Sequence, residues 1–317
     1  MKAKTKNIFL VSTLSLLFTF FAIYSYLPLF LSKYSEHKNF KELNLKKDVI
    51  YYNDNKDYFE YIEGGEGKTN LLLVHGFQSS KNYWVPFIKH LKKDYNIIAL
   101  DLPGHGNSSR NKKQKFDLES LTTSLNIFVE KKGLKKFHIL GTSMGGGITT
   151  LYAHHYPDKV KTLSLLNPLG IDQEDKSDLQ LLLEKGQNIF FPKNLKEFDQ
   201  MTIYLTGKKI NFNSYFRKYA LSKMMSKYTF FKKVFNELLS STRLDNVLPN
   251  IKTKSLILIG KKDRIIHPSS FEYFVKLIPD IKAKRIDNGT HLFVGDEFKI
   301  AIEELKSFLD ENSDIED

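Results

Sequence analysis

The 317-residue sequence predicts one α/β fold, in which a mostly parallel eight-stranded sheet is flanked by helices. Apolar runs of strand length alternate with segments of helical periodicity along most of the chain. The central apolar runs are continuous, which is typical of strands buried on both faces of a parallel sheet. The alternation is interrupted once, and the interruption predicts a helical insertion after the sixth strand.

The amino terminus predicts a membrane anchor over residues 1–31. The stretch from Ile8 to Leu31 has no charged residue and, as a helix, would be about 36 Å long, enough to cross a hydrocarbon core of about 30 Å. No pair of small residues marks a cleavage site, so we favour a retained anchor over a cleaved signal. We expect a single-pass protein of a bacterial inner membrane. Lysines flank both ends of the span, so the side on which the domain lies stays open.

Residues 32–48 are polar and lysine-rich and predict a tether, and strands alternate with helices over residues 49–169. The strands, each an apolar or aromatic run bounded by turn residues, are VIYYND, YFEYIEGGEG, NLLLVHG, YNIIALD, KFHILG and VKTLSLLNP. Helical periodicity predicts helices over 82–93, over 116–133 and from about Gly145 to Pro157.

Residues 170–250 break this alternation. They are helical in pattern and rich in Phe and Tyr, which predicts a lid inserted into the fold. Strand signals return with KSLILIG and KAKRID, so residues 251–317 complete the sheet.

The stretch LGTSMGGG predicts a nucleophile. Ser143 follows a strand and precedes a helix, and glycines stand two residues before and two residues after it. G-x-S-x-G at an abrupt strand-to-helix turn exposes a serine hydroxyl at a sheet edge, because the glycines relieve crowding where strand and helix nearly touch. The pattern alone is weakly specific, and the flanking strand and helix are what make Ser143 a candidate.

A serine nucleophile needs a histidine base and a carboxylate that orients the base. On such a sheet the chain order is serine, acid, histidine, each placed after a strand. His291 follows the last strand and Asp263 follows LILIG, so these two are the predicted base and acid. Asp172 is the alternative acid, and Asp287 is interpreted as structural.

Two backbone N–H groups should bind the negative charge that develops on the substrate oxygen. The N–H of Met144 directly follows the serine, and the N–H of Phe77 lies in the loop after NLLLVHG. His75 is interpreted as a residue that fixes this loop. His105 is interpreted as a turn-stabilising residue with Asp101 as its companion.

Composition excludes several kinds of site. The chain has no cysteine, which rules out disulfides and thiolate metal sites. It has no metalloprotease or phosphate-loop motif, so we expect neither a metal nor a cofactor. The net charge of +12 comes mostly from scattered lysines without a nucleic-acid-binding motif. We expect no nucleic-acid partner, and attribute the charge to attraction for anionic lipid headgroups or to compositional bias.

Five motifs in order resemble the α/β-hydrolase family over about residues 50–312: LLLVHGF, DLPGHGNS, GTSMGGG, GKKDRI and NGTH. Together with the anchor, they are most similar to membrane-bound monoacylglycerol lipases and related bacterial lipases and esterases. The resemblance implies cofactor-free hydrolysis of lipid or small esters by the residues identified above as nucleophile, base, acid and oxyanion donors. Thr290 stands where many relatives have glycine or cysteine, and the lid is the least recognisable part.

Two other functions stay open at this point. Carbon–carbon bond hydrolases and other small-molecule hydrolases of the family share a similar serine motif, and a basic lid residue such as Arg217 would mark one. An inactive membrane-anchored interaction protein on the same scaffold would lack members of the triad, and all three are present here. The oligomeric state also stays open.

Overall fold

A computed structural model describes residues 27–171, 175–209, 213–241 and 243–313. Strands form where the sequence has apolar runs. The described strands are β1 (Lys46–Tyr52), β2 (Asp57–Gly64), β3 (Asn70–Val74), β4 (Asn96–Leu100), β5 (Phe137–Thr142), β6 (Val160–Leu166), β7 (Ser255–Gly260) and β8 (Ile281–Ile286).

These strands form one eight-stranded sheet in the order β1-β2-β4-β3-β5-β6-β7-β8. β1 pairs antiparallel with β2, and β2 with β4, whereas the remaining neighbours are parallel. The predicted mostly parallel sheet is therefore confirmed. The carboxyl ends of β3 to β8 lie at one edge, where loops can bring side chains together.

Helices cover both faces of the sheet. They are α1 (residues 27–42), α2 (Val85–Leu91), α3 (Leu118–Lys132), α4 (Met144–His155), α5 (Asp178–Glu184), α6 (Leu195–Thr206), α7 (Ser214–Met225), α8 (Tyr228–Leu239), α9 (Ser270–Leu277) and α10 (Asp296–Asp310). Short 3₁₀ turns occur at Lys81–Trp84, Pro157–Lys159 and Leu248–Asn250.

The central strands are buried on both faces. In β3, Leu72 and Val74 belong to a core cluster with side chains of α3, α4 and α9, whereas Leu71 and Leu73 belong to a second cluster with α2 and α10. Successive side chains of a strand point to opposite faces, so both faces need apolar residues. This two-sided burial is why the strands read as continuous apolar runs in the sequence.

The prediction for the amino terminus concerns residues that are only partly described. Residues 8–26 of the predicted anchor lie outside the described residues. Within the part of the chain that the structure describes, no helix is both long and apolar enough to span a bilayer. Most of the predicted tether belongs to α1, and Phe40 and Leu43 at its carboxyl end are buried in the cluster that contains α2 and α10.

The chain between β6 and β7 contains four helices, α5 to α8, among its described residues. We refer to this part of the chain, helices and connecting loops together, as the helical segment. Phe198, Met201 and Leu221 form a small core within it. Phe231 and Val234 of α8 pack instead into the main core, in the layer of α3 and α4. The helical segment therefore rests on the sheet through α8.

Candidate active site

Ser143 occupies the turn between β5 and α4 with backbone angles φ 52° and ψ −122°. Positive φ is uncommon outside glycine and costs on the order of 1–3 kcal/mol. The Ser143 N–H donates to the Leu166 carbonyl (3.0 Å), and the Ser143 carbonyl accepts from the Leu169 N–H (2.9 Å). The side chain is half-buried. A strained, backbone-tied turn thus leaves a serine hydroxyl partly exposed at the carboxyl edge of the sheet.

Close packing accounts for the glycines on either side of the serine. A Cβ on Gly145 would lie 2.2 Å from the Val74 carbonyl oxygen, and a Cβ on Gly141 would lie 2.4 Å from the Gly145 carbonyl oxygen. Real atoms do not approach so closely, so side chains at these positions would push β5, α4 and β3 apart. The close approach of strand and helix that the motif predicts is observed.

His291 and Asp263 are in contact. His291 Nδ1 lies 2.8 Å from Asp263 Oδ2, and both side chains are buried. Asp263 Oδ1 accepts the N–H groups of Ile265 (2.8 Å) and Ile266 (3.0 Å), which fixes the carboxylate. When Nδ1–H donates to this carboxylate, Nε2 is left unprotonated and can accept a proton. Among the described residues, the Ser143 hydroxyl makes no hydrogen bond to either of them.

Asn167, immediately after β6, connects the carboxyl ends of β6, β7 and β8 through the hydrogen bonds of its side chain. Its side-chain nitrogen donates to the carbonyls of Thr290 (3.0 Å) and His291 (2.9 Å), and its oxygen accepts the Gly260 N–H (2.8 Å). The residue is buried, with φ 44°. Sequence reasoning missed it. The available signal was a polar side chain between the apolar pair Leu165-Leu166 and Pro168, where the strand VKTLSLLNP ends.

The two predicted oxyanion donors flank Ser143. A Cβ on Gly76 would lie 3.2 Å from Ser143 Cβ and 3.7 Å from Ser143 Oγ, so the loop before Phe77 passes directly beside the serine. The Phe77 N–H has no acceptor among the described residues. Met144 is the first residue of α4, where backbone N–H groups lack intrahelical partners. Both N–H groups thus belong to backbone segments next to Ser143, and their role as oxyanion donors stays a prediction.

The two histidines of the neighbouring loops are buried and neutral. His75 Nδ1 lies 2.7 Å from the Gly76 carbonyl, and its Nε2 accepts the Leu102 N–H (3.1 Å). Burial lowers the pKa of His75 to about 4. His105 Nδ1 lies 3.0 Å from the Pro103 carbonyl, and burial, with His75 nearby, lowers its pKa to about 3. These contacts join the loops after β3 and β4, as expected for residues with structural roles.

Asp101 has a different partner from the one predicted. Its carboxylate accepts Lys81 Nζ (2.7 Å) and the N–H groups of Lys81 (2.7 Å) and Asn107 (2.8 Å), and it forms no hydrogen bond with His105 among the described residues. Lys81 also binds Glu60 (2.7 Å). A cation stabilises a buried carboxylate better than a neutral imidazole does. No signal in the sequence pointed to a buried lysine here.

The other candidate residues lie elsewhere. Asp287 is exposed and pairs with Lys261 (2.6 Å), consistent with its interpretation as structural. Asp172, the alternative acid, lies outside the described residues. Arg217 pairs with Asp199 within the helical segment. Among the described residues, no group of His, Asp and Glu side chains could hold a metal ion.

Aromatic rings of the helical segment surround Phe77. Its ring lies 5.4 Å from that of Phe190, 5.6 Å from Phe231, 5.5 Å from Phe235 and 6.4 Å from Phe191. Phe191 and Phe235 also line a cavity of about 870 Å³ between α5, α6 and α8. The loop that carries one predicted oxyanion donor therefore contacts the wall of a large cavity.

The end of α6 is tied to the loop that carries His291. The Leu292 N–H donates to the Leu205 carbonyl (2.8 Å), and a Cβ on Gly207 would lie 2.9 Å from Thr290 Cγ2. The Arg264 guanidinium lies 3.8 Å from the centre of the Tyr204 ring. The helical segment thus contacts the residues on either side of the predicted base and the loop after the predicted acid.

Comparisons with known proteins agree with this geometry. A family model for the alpha/beta hydrolase fold matches residues 69–298. The monoacylglycerol lipase ABHD6 of Bos taurus is 28% identical over 239 residues, which cover 72% of this chain and 71% of that protein. Lipase 1 of Psychrobacter immobilis is 28% identical over 264 residues, which cover 80% of each chain.

A solved structure extends the likeness to almost the whole chain. A membrane phospholipase A, a bacterial virulence factor, matches with a TM-score of 0.89 and 26% identity, covering 97% of this chain and 99% of that one. The resemblance noted in the sequence is therefore confirmed. The chain belongs to the alpha/beta hydrolase fold family and is a hydrolase of its lipase and esterase type.

Proposed function

We propose that this protein is a membrane-anchored serine hydrolase that cleaves carboxylic esters of lipids, with monoacylglycerols as the first substrates to test. The contact between His291 Nδ1 and Asp263 Oδ2 carries the proposal. A buried imidazole oriented by a carboxylate, at the same sheet edge as the strained Ser143 turn, is the arrangement that a Ser-His-Asp triad requires. The lipases among the relatives support a lipid ester.

In the proposed reaction, His291 Nε2 takes the proton from Ser143 Oγ while Oγ attacks the ester carbonyl carbon. The N–H groups of Phe77 and Met144 bind the resulting oxyanion. The carbon–oxygen bond to the alcohol then breaks, and His291 gives its proton to the departing alcohol oxygen. A water molecule deprotonated by His291 attacks the acyl-enzyme, which releases the carboxylic acid and restores Ser143. Asp263 stabilises the imidazolium at each step.

The helical segment acts in this proposal as a lid over residues 170–250, inserted between core regions 49–169 and 251–317. We assign the acyl chain to the cavity of about 870 Å³, because Phe191 and Phe235 line it and contact the ring of Phe77. These rings form the part of the cavity that adjoins Phe77, and an apolar surface there suits an acyl chain.

We propose that residues 8–31 anchor the protein in a bacterial inner membrane. The charge-free sequence supports an anchor, as does the similarity to a membrane phospholipase A. Phe30 and Tyr34 of α1 are 64% and 58% exposed and their rings stack, which suits the boundary between bilayer and water. Extraction of membranes with alkaline carbonate should leave the full chain in the membrane fraction.

The test is hydrolysis of a chain-length series of monoacylglycerols and simple esters by the full chain in detergent micelles, beside Ser143→Ala. We expect turnover that peaks at medium or long acyl chains and falls at least about a thousandfold in the variant, with an unchanged melting temperature. Undiminished hydrolysis by Ser143→Ala would disprove the nucleophile. A folded wild-type protein without ester turnover would favour carbon–carbon bond or other small-molecule substrates.

A further inference from the structure

A second, smaller pocket lies beside the loop that follows β3. It has a volume of about 420 Å³, and we refer to it as the cationic pocket. Its lining combines hydroxyl and amide groups and two lysines with the apolar surface of Tyr83, Met224 and Phe231: Gln78, Ser79, Ser80, Tyr83, Gly106, Lys223, Met224, Lys227 and Phe231.

The charges around this pocket are positive and close together. Lys223 and Lys227 line it, and neither forms an ion pair among the described residues. Burial, together with the charges of Arg110 and Lys223, lowers the pKa of Lys227. Asp101 is the acidic group that acts on Lys227, and its carboxylate already binds Lys81. Lys223 Nζ also lies 5.5 Å from the centre of the Tyr219 ring. Like charges repel, so an anion bound near both lysines would offset the repulsion between them.

The position of the pocket connects it to the candidate active site. Gln78 directly follows Phe77, and the ring of Phe231 contacts the ring of Phe77 at 5.6 Å. The cavity assigned to the acyl chain meets the same ring through Phe191 and Phe235. Each pocket therefore has lining residues that contact the ring of Phe77, whose loop passes beside Ser143.

We propose that the cationic pocket binds the phosphate group of a phosphorylated acylglycerol substrate and so selects such lipids over neutral acylglycerols. The inference rests on the proposed ester hydrolysis. In an acylglycerol the phosphate lies only a few bonds from the ester carbonyl, which suits two pockets that share one aromatic wall. Lysine ammonium groups and serine hydroxyls supply hydrogen bonds to phosphate oxygens, and charge-assisted bonds of this kind are stronger than neutral ones.

The test uses two substrates that differ only in the phosphate, 1-oleoylglycerol and 1-oleoylglycerol 3-phosphate, in neutral detergent micelles. We measure the ratio of kcat/KM for the phosphorylated to the neutral ester. In the full chain carrying both Lys223→Gln and Lys227→Gln, we expect this ratio to fall about ten- to hundredfold. Lys218→Gln removes one charge from an exposed position of α7 outside the pocket, and its ratio should stay within about twofold of that of the wild type.

An unchanged ratio in the double variant, or an equal fall in Lys218→Gln, would overturn the proposal. Inorganic phosphate serves as a separate probe. Phosphate could inhibit hydrolysis of both esters equally in the wild type, and the double variant could lose this inhibition while keeping the wild-type ratio of kcat/KM. That result would mean that the pocket binds free phosphate and that the substrate assignment is wrong.

Binding separates failure of this inference from failure of the proposed function. Calorimetric titration of the full-length Ser143→Ala protein with a short-chain acylglycerol phosphate needs no turnover. We expect binding that weakens about tenfold or more in the added double variant, even if the wild type hydrolyses no ester. Equal binding with and without the lysines would refute the pocket by itself.

Discussion

The carboxyl edge of the sheet and the helical segment are built from different kinds of contact. At the edge, backbone hydrogen bonds and the buried Asn167 side chain hold the turns that carry Ser143 and His291. The helical segment has a core of three buried side chains, with aromatic contacts and ion pairs such as Arg217–Asp199 around it. The positions of the proposed reacting groups thus depend largely on backbone hydrogen bonds, which few substitutions change. The surfaces that would recognise substrate consist of side chains, which a substitution can alter directly.

The strongest test of the rigid edge is Asp263→Asn. The oxygen of the introduced amide is held by the N–H groups of Ile265 and Ile266, so its NH₂ group faces His291 Nδ1 and donates where the carboxylate accepts. The imidazole then adopts the wrong tautomer, and we expect kcat to fall by about 10⁴. Ester hydrolysis and thermal unfolding are measured together. Asp172→Asn is the matched variant, and a large loss there with a mild loss in Asp263→Asn would move the acid to residue 172.

Asn167→Ala tests whether the tie between strand ends matters for the reaction. It leaves the buried carbonyls of Thr290 and His291 and the Gly260 N–H without their partner, each at a cost of about 1–3 kcal/mol. We expect a lower melting temperature and a fall in kcat of about ten- to hundredfold. KM should change less than kcat, because the residue touches no proposed substrate site. A rise in KM with an unchanged kcat would contradict this positioning role.

Phe235→Leu tests whether the aromatic contacts of the helical segment contribute to recognition of the acyl chain. The substitution keeps an apolar side chain but removes ring contacts with Phe77, Phe190 and Phe191, each worth about 0.5–1.5 kcal/mol. We expect kcat/KM for long acyl chains to fall about three- to tenfold, with a smaller change for short-chain esters. Phe198→Leu in the small core of the helical segment is the control, and an equal change there would remove Phe235 from the acyl site.

The smallest effect concerns the buried histidines under the loops. Unfolded histidines take up protons below about pH 6.5, whereas burial lowers the pKa values of His75 and His105 to about 4 and about 3. The unfolded state therefore binds more protons between these values, and the free energy of unfolding should decrease as the pH falls from about 6.5 to about 4.

His105→Phe should reduce this slope by up to about 1.4 kcal/mol per pH unit, measured by urea unfolding at several pH values. The exposed His37→Phe is the control, because burial is the cause under test. An unchanged slope in His105→Phe would mean that His105 is not neutral in the folded state.

The sheet could be predicted because burial on both faces leaves a strong signal in the sequence. A continuous apolar run of about five residues between turns, such as NLLLV, indicates a buried strand and is too short for a helix. Boundaries were weaker at the sheet margin. β1 starts at Lys46 rather than near Val49, because the first residues of this edge strand are exposed and polar. Residues 32–42 of α1 are part of the predicted tether, because exposed lysines there hide the two buried positions, Phe40 near the end of α1 and Leu43 just after it.

The candidate site was predictable where a motif meets a strand end. The positions proposed for Ser143, His291 and Asp263 follow from chain order on a parallel sheet, and their catalytic roles stay predictions. Asn167 and Lys81 were not predicted. Their importance comes from partners twenty or more residues away, such as Thr290 and Asp101, and one sequence carries no record of such pairings.

The hydrogen bond between the Leu205 carbonyl and the Leu292 N–H has a consequence for how a substrate could enter. A swing of α6 away from the sheet would break this bond and pull on the turn one residue beyond His291. Entry from that side would displace the proposed base at the moment a substrate arrives. Movement of α7 leaves the bond intact, whereas α8 is packed into the main core, so the fold favours entry on the side of α7 while α6 and α8 stay in place.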